Sequence, residues 1–235
     1  MTETTNKTAA ENTPVSKEFQ LEDSLHKAED FFNKNKNSII IALLVVVVVV
    51  GGTFAYSKFI KGPNEVKAQN MIFHAQQYFE RDSFRLALNG DGNYEGFLQV
   101  IDKYGSTKTG QLAKYYAGVS YVKLGEFQKG IDQLTAFNGG DQIVQAMAYG
   151  LTGDAYMELG NTEKGIEFYK KAGAHSDNEL TAPTYLFRAG MALEKANKPA
   201  EAISLYKQIR DKYPQTTEGR EMDKYLARLG EVSNN

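Results

Sequence analysis

Three stretches of this chain repeat one another at an interval of about 35 residues, and that interval restricts the fold more than any other feature. The first is Tyr116-Ala117-Gly118-Val119-Ser120-Tyr121-Val122-Lys123-Leu124-Gly125. The second is Leu151-Thr152-Gly153-Asp154-Ala155-Tyr156-Met157-Glu158-Leu159-Gly160, and the third is Arg188-Ala189-Gly190-Met191-Ala192-Leu193-Glu194-Lys195-Ala196-Asn197. Gly118, Gly153 and Gly190 align at separations of 35 and 37 residues. Each stretch is followed by a second aligned one, beginning Gly130-Ile131, Gly165-Ile166 and Ala202-Ile203. This spacing describes a helical hairpin. A small residue sits where the partner helix crosses closely, and Tyr121, Tyr156 or Leu193 fills the groove three residues later. Gly125, Gly160 or Asn197 then ends the first helix in the left-handed conformation. One such hairpin cannot bury its apolar face alone, so hairpins must stack.

A longer echo extends the count. Asp102-Lys103-Tyr104-Gly105 returns as Asp211-Lys212-Tyr213-Pro214, 109 residues later. Each is followed by a Thr, by Gly110 or Gly219, and by Lys114-Tyr115 or Lys224-Tyr225. An irregular leading hairpin is therefore expected, with a first helix over Glu65 to Glu80 and a second over Tyr94 to Tyr104. A lone closing helix is expected over Thr217 to Leu229, its Arg220, Glu221, Asp223, Lys224 and Arg228 suiting a polar outer face. The expected fold is all-α: about four helical hairpins plus a closing helix over residues 64–235. These residues resemble the tetratricopeptide repeat (TPR), an α-solenoid unit of about 34 residues with small residues at helix crossings and a closing proline. Pro214 matches that proline. The first two full repeats lack it, and Lys114, Tyr149 and Tyr185 stand where the family has tryptophan.

Ahead of the repeats, residues 38–58 read as a transmembrane helix. Ser38 to Ser57 carries no charge and includes six consecutive valines, Val45 to Val50. Ile39 to Tyr56 is 18 residues, or about 27 Å of helix, close to the ~30 Å hydrocarbon core. Twelve of them are Ile, Leu, Val or Phe, contributing on the order of −4 to −7 kcal/mol to insertion. A lone span must be helical, since a single strand leaves its backbone unpaired in lipid. A buried core strand would be shorter and flanked by turn residues. A cleaved signal peptide is the other alternative, although 38 residues precede the apolar stretch and it continues past Gly52. Lys27, Lys34 and Lys36 on one side balance Lys58, Lys61 and Lys67 on the other, so charge leaves orientation open. Lys61-Gly62-Pro63 is expected to break the chain after the span.

Residues 1–18 are mostly polar and read as a disordered tail. Residues 19–37 form an amphipathic juxtamembrane helix. Leu21, Leu25, Ala28 and Phe32 recur on one face, and Glu22, Asp23, Glu29 and Asp30 lie off it. Leu21, Leu25, Phe31 and Phe32 are its candidate contacts, either with the lipid bilayer or with a membrane partner.

No enzyme chemistry is legible. There is no cysteine, and His26, His74 and His175 are scattered away from metal-ligand spacing. Asn89-Gly90-Asp91-Gly92-Asn93 opens like a calcium loop, but Tyr94 replaces the turn glycine and Val100 the closing Glu. No phosphate loop or nucleophile elbow occurs. No catalytic residue, metal or cofactor is expected, and no small-molecule substrate. With 27 basic against 29 acidic residues, nothing favours nucleic acid.

Binding is expected where the first helices line the inner face of the stack. In the first full repeat the candidates are Leu112, Tyr115, Val119 and Lys123. In the next they are Met147, Asp154, Met157 and Glu158. In the last they are Thr184, Phe187, Arg188, Met191 and Lys195. Tyr115 and Val119 occupy places where receptors for acidic C-terminal tails need Lys and Asn, so an apolar peptide or partner helix fits better.

The whole layout is similar to YfgM-like ancillary subunits of the bacterial Sec translocon. It shares the short acidic arm, the aromatic pair before a basic stretch (Phe31-Phe32-Asn33-Lys34-Asn35-Lys36), the single span and a repeat domain with an irregular first hairpin. The resemblance implies a single-pass inner-membrane protein, N-terminus cytoplasmic and repeats periplasmic. It implies Sec translocon subunits and a membrane-anchored periplasmic foldase or chaperone as partners. A scaffold in another cell-envelope assembly or secretion machine is the alternative.

Overall fold

The computed structural model describes the backbone of residues 15–175 and 177–231, and side chains from Asn33 onward except Ala55 and the residue at 176. The candidate arm contacts Leu21, Leu25, Phe31 and Phe32 lie outside the described side chains. The regular structure among the described residues is all helical, with no strand. The chain divides into two units, residues 1–60 and 61–235.

In the first unit, helix α1 covers Val15–Tyr56, so residues 19–37 and the apolar stretch after them fall within one element. A helix here is long and apolar enough to cross a membrane, and a signal sequence passes the same test of length and composition. None of its apolar window is buried, and Val48 is 70% exposed. The break expected at Lys61-Gly62-Pro63 takes another form. Ser57–Lys61 is a π-helical turn, and α2 (Gly62–Glu80) begins directly with Pro63 in its first turn.

The second unit is built of α2 to α11. The leading hairpin differs from expectation. Its return is not one helix over Tyr94 to Tyr104 but two, α3 (Phe84–Asn89) and α4 (Phe97–Tyr104), joined by the 90–96 loop. α3 reads poorly in sequence because only Ala87 and Leu88 are buried in its six residues. Helices α5 (Lys108–Lys123) and α6 (Phe127–Ala136) form the next hairpin. α7 (Gln142–Glu158) and α8 (Thr162–His175) form the third, and α9 (Ala182–Lys195) and α10 (Pro199–Lys212) the fourth. α11 (Thr217–Arg228) closes the array on α10 and α9. From α5 onward each helix packs chiefly on its sequence neighbours, as in a solenoid, whereas α2 packs on α4 and α5 as well as on α3.

The small-residue lattice sets the crossings. A Cβ on Gly118 would meet Leu134, and one on Gly153 or Gly190 would meet the Tyr169 or Tyr206 ring. Ile131 and Ile166 are buried beside the matching small residues of the second helices. The first helices end alike. Asp82, Gly125, Gly160, Asn197 and Gly230 all have positive φ, between 55° and 85°. The next N–H reaches back to Tyr78, Tyr121, Tyr156, Leu193 and Leu226 respectively, satisfying a carbonyl that would otherwise be left open.

The 109-residue echo is one turn used twice. Thr107 Oγ1 accepts the Gly110 N–H at 2.9 Å, and Thr216 Oγ1 accepts the Gly219 N–H at 3.0 Å. A Cβ on Gly110 would run into the Tyr104 carbonyl oxygen, and one on Gly219 into that of Tyr213. The aromatic that follows corrects the sequence alignment by one residue. Counted from the glycine, Tyr116 rather than Tyr115 matches Tyr225. Tyr116 stacks on Phe97 at 5.4 Å, while Tyr225 meets Phe187 edge-on at 4.9 Å.

Candidate functional site

Two neighbouring cavities lie along the seam between the first helices α7 and α9. One, of about 300 Å³, is lined by Asp154, Met157, Tyr169, Phe187, Arg188, Met191, Ala192 and Lys195. The other, of about 330 Å³, is lined by Ile143, Met147, Leu180, Thr181, Thr184 and Tyr185. Positions 143, 147, 150 and 154 fall on one face of α7 by helical spacing, as do 184, 188 and 191 on α9, with Thr181 at its N-cap. Gly150 lies between the cavities, and the Tyr185 ring rests where its Cβ would be. The ring thus forms a ridge dividing one groove into two seats.

The seat nearer the C-terminal ends of the helices is organised by a carboxylate. Asp154 Oδ1 accepts the Tyr169 hydroxyl at 2.6 Å, and Arg188 Nη1 donates to both Asp154 oxygens at 2.8 and 2.9 Å. Burial, then the hydrogen bond to Asp154, pushes the Tyr169 phenol up. Burial opposes the charge on Arg188, but the attraction and hydrogen bonds of Asp154 outweigh it and raise the guanidinium further. The same chemistry recurs between α9 and α11. Glu194 accepts the Tyr206 hydroxyl at 2.5 Å, and Arg228 Nη2 donates to its oxygens at 2.7 and 2.9 Å. In both cases 34 residues separate acid from arginine, one repeat along the array. Asp154 and Glu194 are thereby neutralised within the protein.

Six sequence-predicted residues meet around the first cavity: Asp154, Met157, Phe187, Arg188, Met191 and Lys195. Met147 and Thr184 meet around the second. Leu112, Tyr115, Val119, Lys123 and Glu158 line neither cavity. Tyr115 instead packs against Phe137 at 5.6 Å. Burial, with smaller contributions from nearby Tyr185 and Tyr116, pushes its phenol up to about 12. Sequence reasoning missed Ile143, Leu180, Thr181, Tyr185 and Tyr169 as lining residues. Ile143 lies one turn before Met147 and was accessible to helical spacing. Tyr169 reaches in from a second helix, and Leu180 sits in the α8–α9 connection, where no periodicity points to it.

The calcium-like loop is occupied by its own bonds. Asp91 accepts the N–H groups of Asn93 and Tyr94 at 2.9 and 2.8 Å and the Tyr78 hydroxyl at 2.8 Å. His74 stacks on Tyr94, and His175 lies edge-on to Tyr149. Among the described residues no group of three His, Cys, Asp or Glu is placed to hold a metal ion.

Residues 146–172 and 184–216 each match a tetratricopeptide-repeat family model. No curated protein matches the chain at a significant level. Among solved structures it is similar to the TPR-like repeats of a Podosopora anserina protein of kinesin light chain type. The TM-score is 0.51 at 13% identity, covering 69% of this chain and 85% of that one. A single-substitution variant of the same protein gives a TM-score of 0.51 at 13% identity, covering 69% and 84%. At that identity the likeness concerns the fold alone. The matched stretches overlie α7–α8 and α9–α10, so the two hairpins that frame the groove are the part of the chain that is similar to tetratricopeptide repeats.

Proposed function

We propose that this chain is a membrane-anchored, non-catalytic TPR adaptor that works beside the Sec protein translocon and receives or recruits periplasmic chaperones. TPR domains bind protein partners generally. The observation that carries the binding reading is the divided groove between α7 and α9, whose seats are lined by methionine, aromatic and aliphatic side chains. Methionine-rich surfaces adapt to different apolar ligands. The charge-free stretch from Ser38 to Ser57 supports the anchor. The layout shared with YfgM-like subunits supports the translocon, the inner membrane and an N-in, C-out orientation.

Two measurements test this reading. A reporter active only outside the cytoplasm, fused to the C-terminus, is expected to be active; silence there would end the periplasmic reading. Mild-detergent purification after crosslinking from Phe31 and Phe32 is expected to yield translocon subunits and a membrane-anchored foldase. Products lacking translocon subunits would exclude the Sec assignment in favour of another envelope machine.

A further inference from the structure

The groove restricts the backbone conformation of what it binds. An extended peptide brings N–H and C=O groups that need new partners once water is removed. Side-chain amides do this best, since they donate and accept at once, yet neither cavity is lined by Asn or Gln. Apart from Lys195 and the Tyr185 hydroxyl, which offer no row of paired donors and acceptors, most of the polar side chains present are committed. Asp154 is held by Tyr169 and Arg188, Thr184 donates to Glu218 at 2.7 Å, and Thr181 is bonded to Asn178 through its N–H and hydroxyl. A helix satisfies its own backbone and asks only for apolar seats.

Charge adds a direction. Arg188 is offset by Asp154. Lys195 lines the same cavity, is exposed and forms no ion pair or side-chain hydrogen bond among the described residues, so the lining carries one positive charge in excess, while the exposed Glu158 beside Met157 lies outside it. Spacing adds a length. From Thr184 to Met191 the helix rises about 10 Å, and from Met147 to Met157 about 15 Å, at ~1.5 Å per residue. Side chains filling both seats are therefore about seven to ten residues apart on a helix, or about three to five apart on an extended strand at ~3.3 Å per residue.

We propose that the α7–α9 groove takes an amphipathic helix of a partner polypeptide, with two large apolar side chains about seven to ten residues apart and an acidic residue at the Lys195 end. This rests on the groove being a protein-binding surface, and the test separates the two ideas. Photo-reactive benzophenone side chains are placed in the full-length chain in cells, at Leu180 in one variant and Met191 in another. The crosslinked partner peptides are then sequenced. Expected is one partner segment, crosslinked from the two sites at positions about seven to ten residues apart. Positions about three to five apart would overturn the helical ligand while leaving the groove as a binding surface. Unrelated segments, or no protein crosslinked from either site, would overturn both. Lys195→Glu is expected to reduce the Met191 crosslink at least threefold while Lys195→Arg preserves it. An unchanged yield in Lys195→Glu would remove the acidic residue from the proposal. Because Lys195 is exposed, circular dichroism of both variants is expected to match the parent.

Discussion

Single atoms decide where this array tolerates change. Gly110 and Gly219 face backbone carbonyls, which can retreat only by opening the turn that Thr107 and Thr216 cap. Gly165 faces Met157, whose Sδ lies 2.5 Å from the place a Cβ would take and whose flexible chain can give way. Gly110→Ala is therefore expected to cost ~3 kcal/mol or more, and Gly165→Ala ~1 kcal/mol, within the range known for overpacked sites. Urea unfolding of the detergent-solubilised chain followed by far-UV circular dichroism measures both; equal losses would contradict the distinction. The position of these glycines was readable in the sequence because the turn occurs twice. What each would strike was not, since Tyr104 and Tyr213 present carbonyl oxygens whose direction no side-chain pattern encodes. The one-residue slip at Tyr115 and Tyr116 has another origin: matching the Lys-Tyr pairs by eye overrode the 109-residue count, which already sets Tyr116 against Tyr225.

Among elements, α11 carries the greatest consequence for its size. Its polar outer face was legible from Arg220, Glu221 and Asp223, and its register from the echo of α5. Its apolar face buries Met222 and Leu226, each worth ~1.5–3 kcal/mol of burial. Truncation after Gln215 uncovers the Tyr206 and Phe187 side of the last hairpin, where Tyr225 now packs. Amide exchange in α9 and α10 is expected to accelerate at least a hundredfold. Exchange in α5 and α6, several neighbours away, is expected to stay within about threefold, because a solenoid passes stability between adjacent units. Equal acceleration throughout would mean the repeats unfold as one block. The helix hardest to foresee was α3. Six residues cannot display a helical period, and its role depends on packing against α2 and α5.

For the molecule as a whole, tyrosines supply a pH limit. Tyr213 is pushed up to about 12 by burial and then by its hydrogen bond to Asp177, matching Tyr115. Tyr206 is also raised, by burial and then Glu194. An unfolded tyrosine ionises near pH ~10. Below that value these phenols are neutral in both states and their stabilisation is intact. Above it only the unfolded chain releases protons, so stability falls with rising pH until the folded phenols ionise, at about 12 for Tyr115 and Tyr213. The thermal midpoint is expected to drop across this window, less steeply in Tyr206→Phe; a flat midpoint would show that the phenols stay exposed. The repeated turn at Thr107 and Thr216 has a different kind of implication. Two junctions with the same cap and the same forbidden Cβ bracket three hairpins of equal construction. The block between them is in effect a cassette with matching ends. A second copy spliced in at Thr216 would enter through the same turn, but Ala113 and Ala117 would then stand where Met222 and Leu226 are now buried, so a longer row of seats needs larger side chains at that one joint.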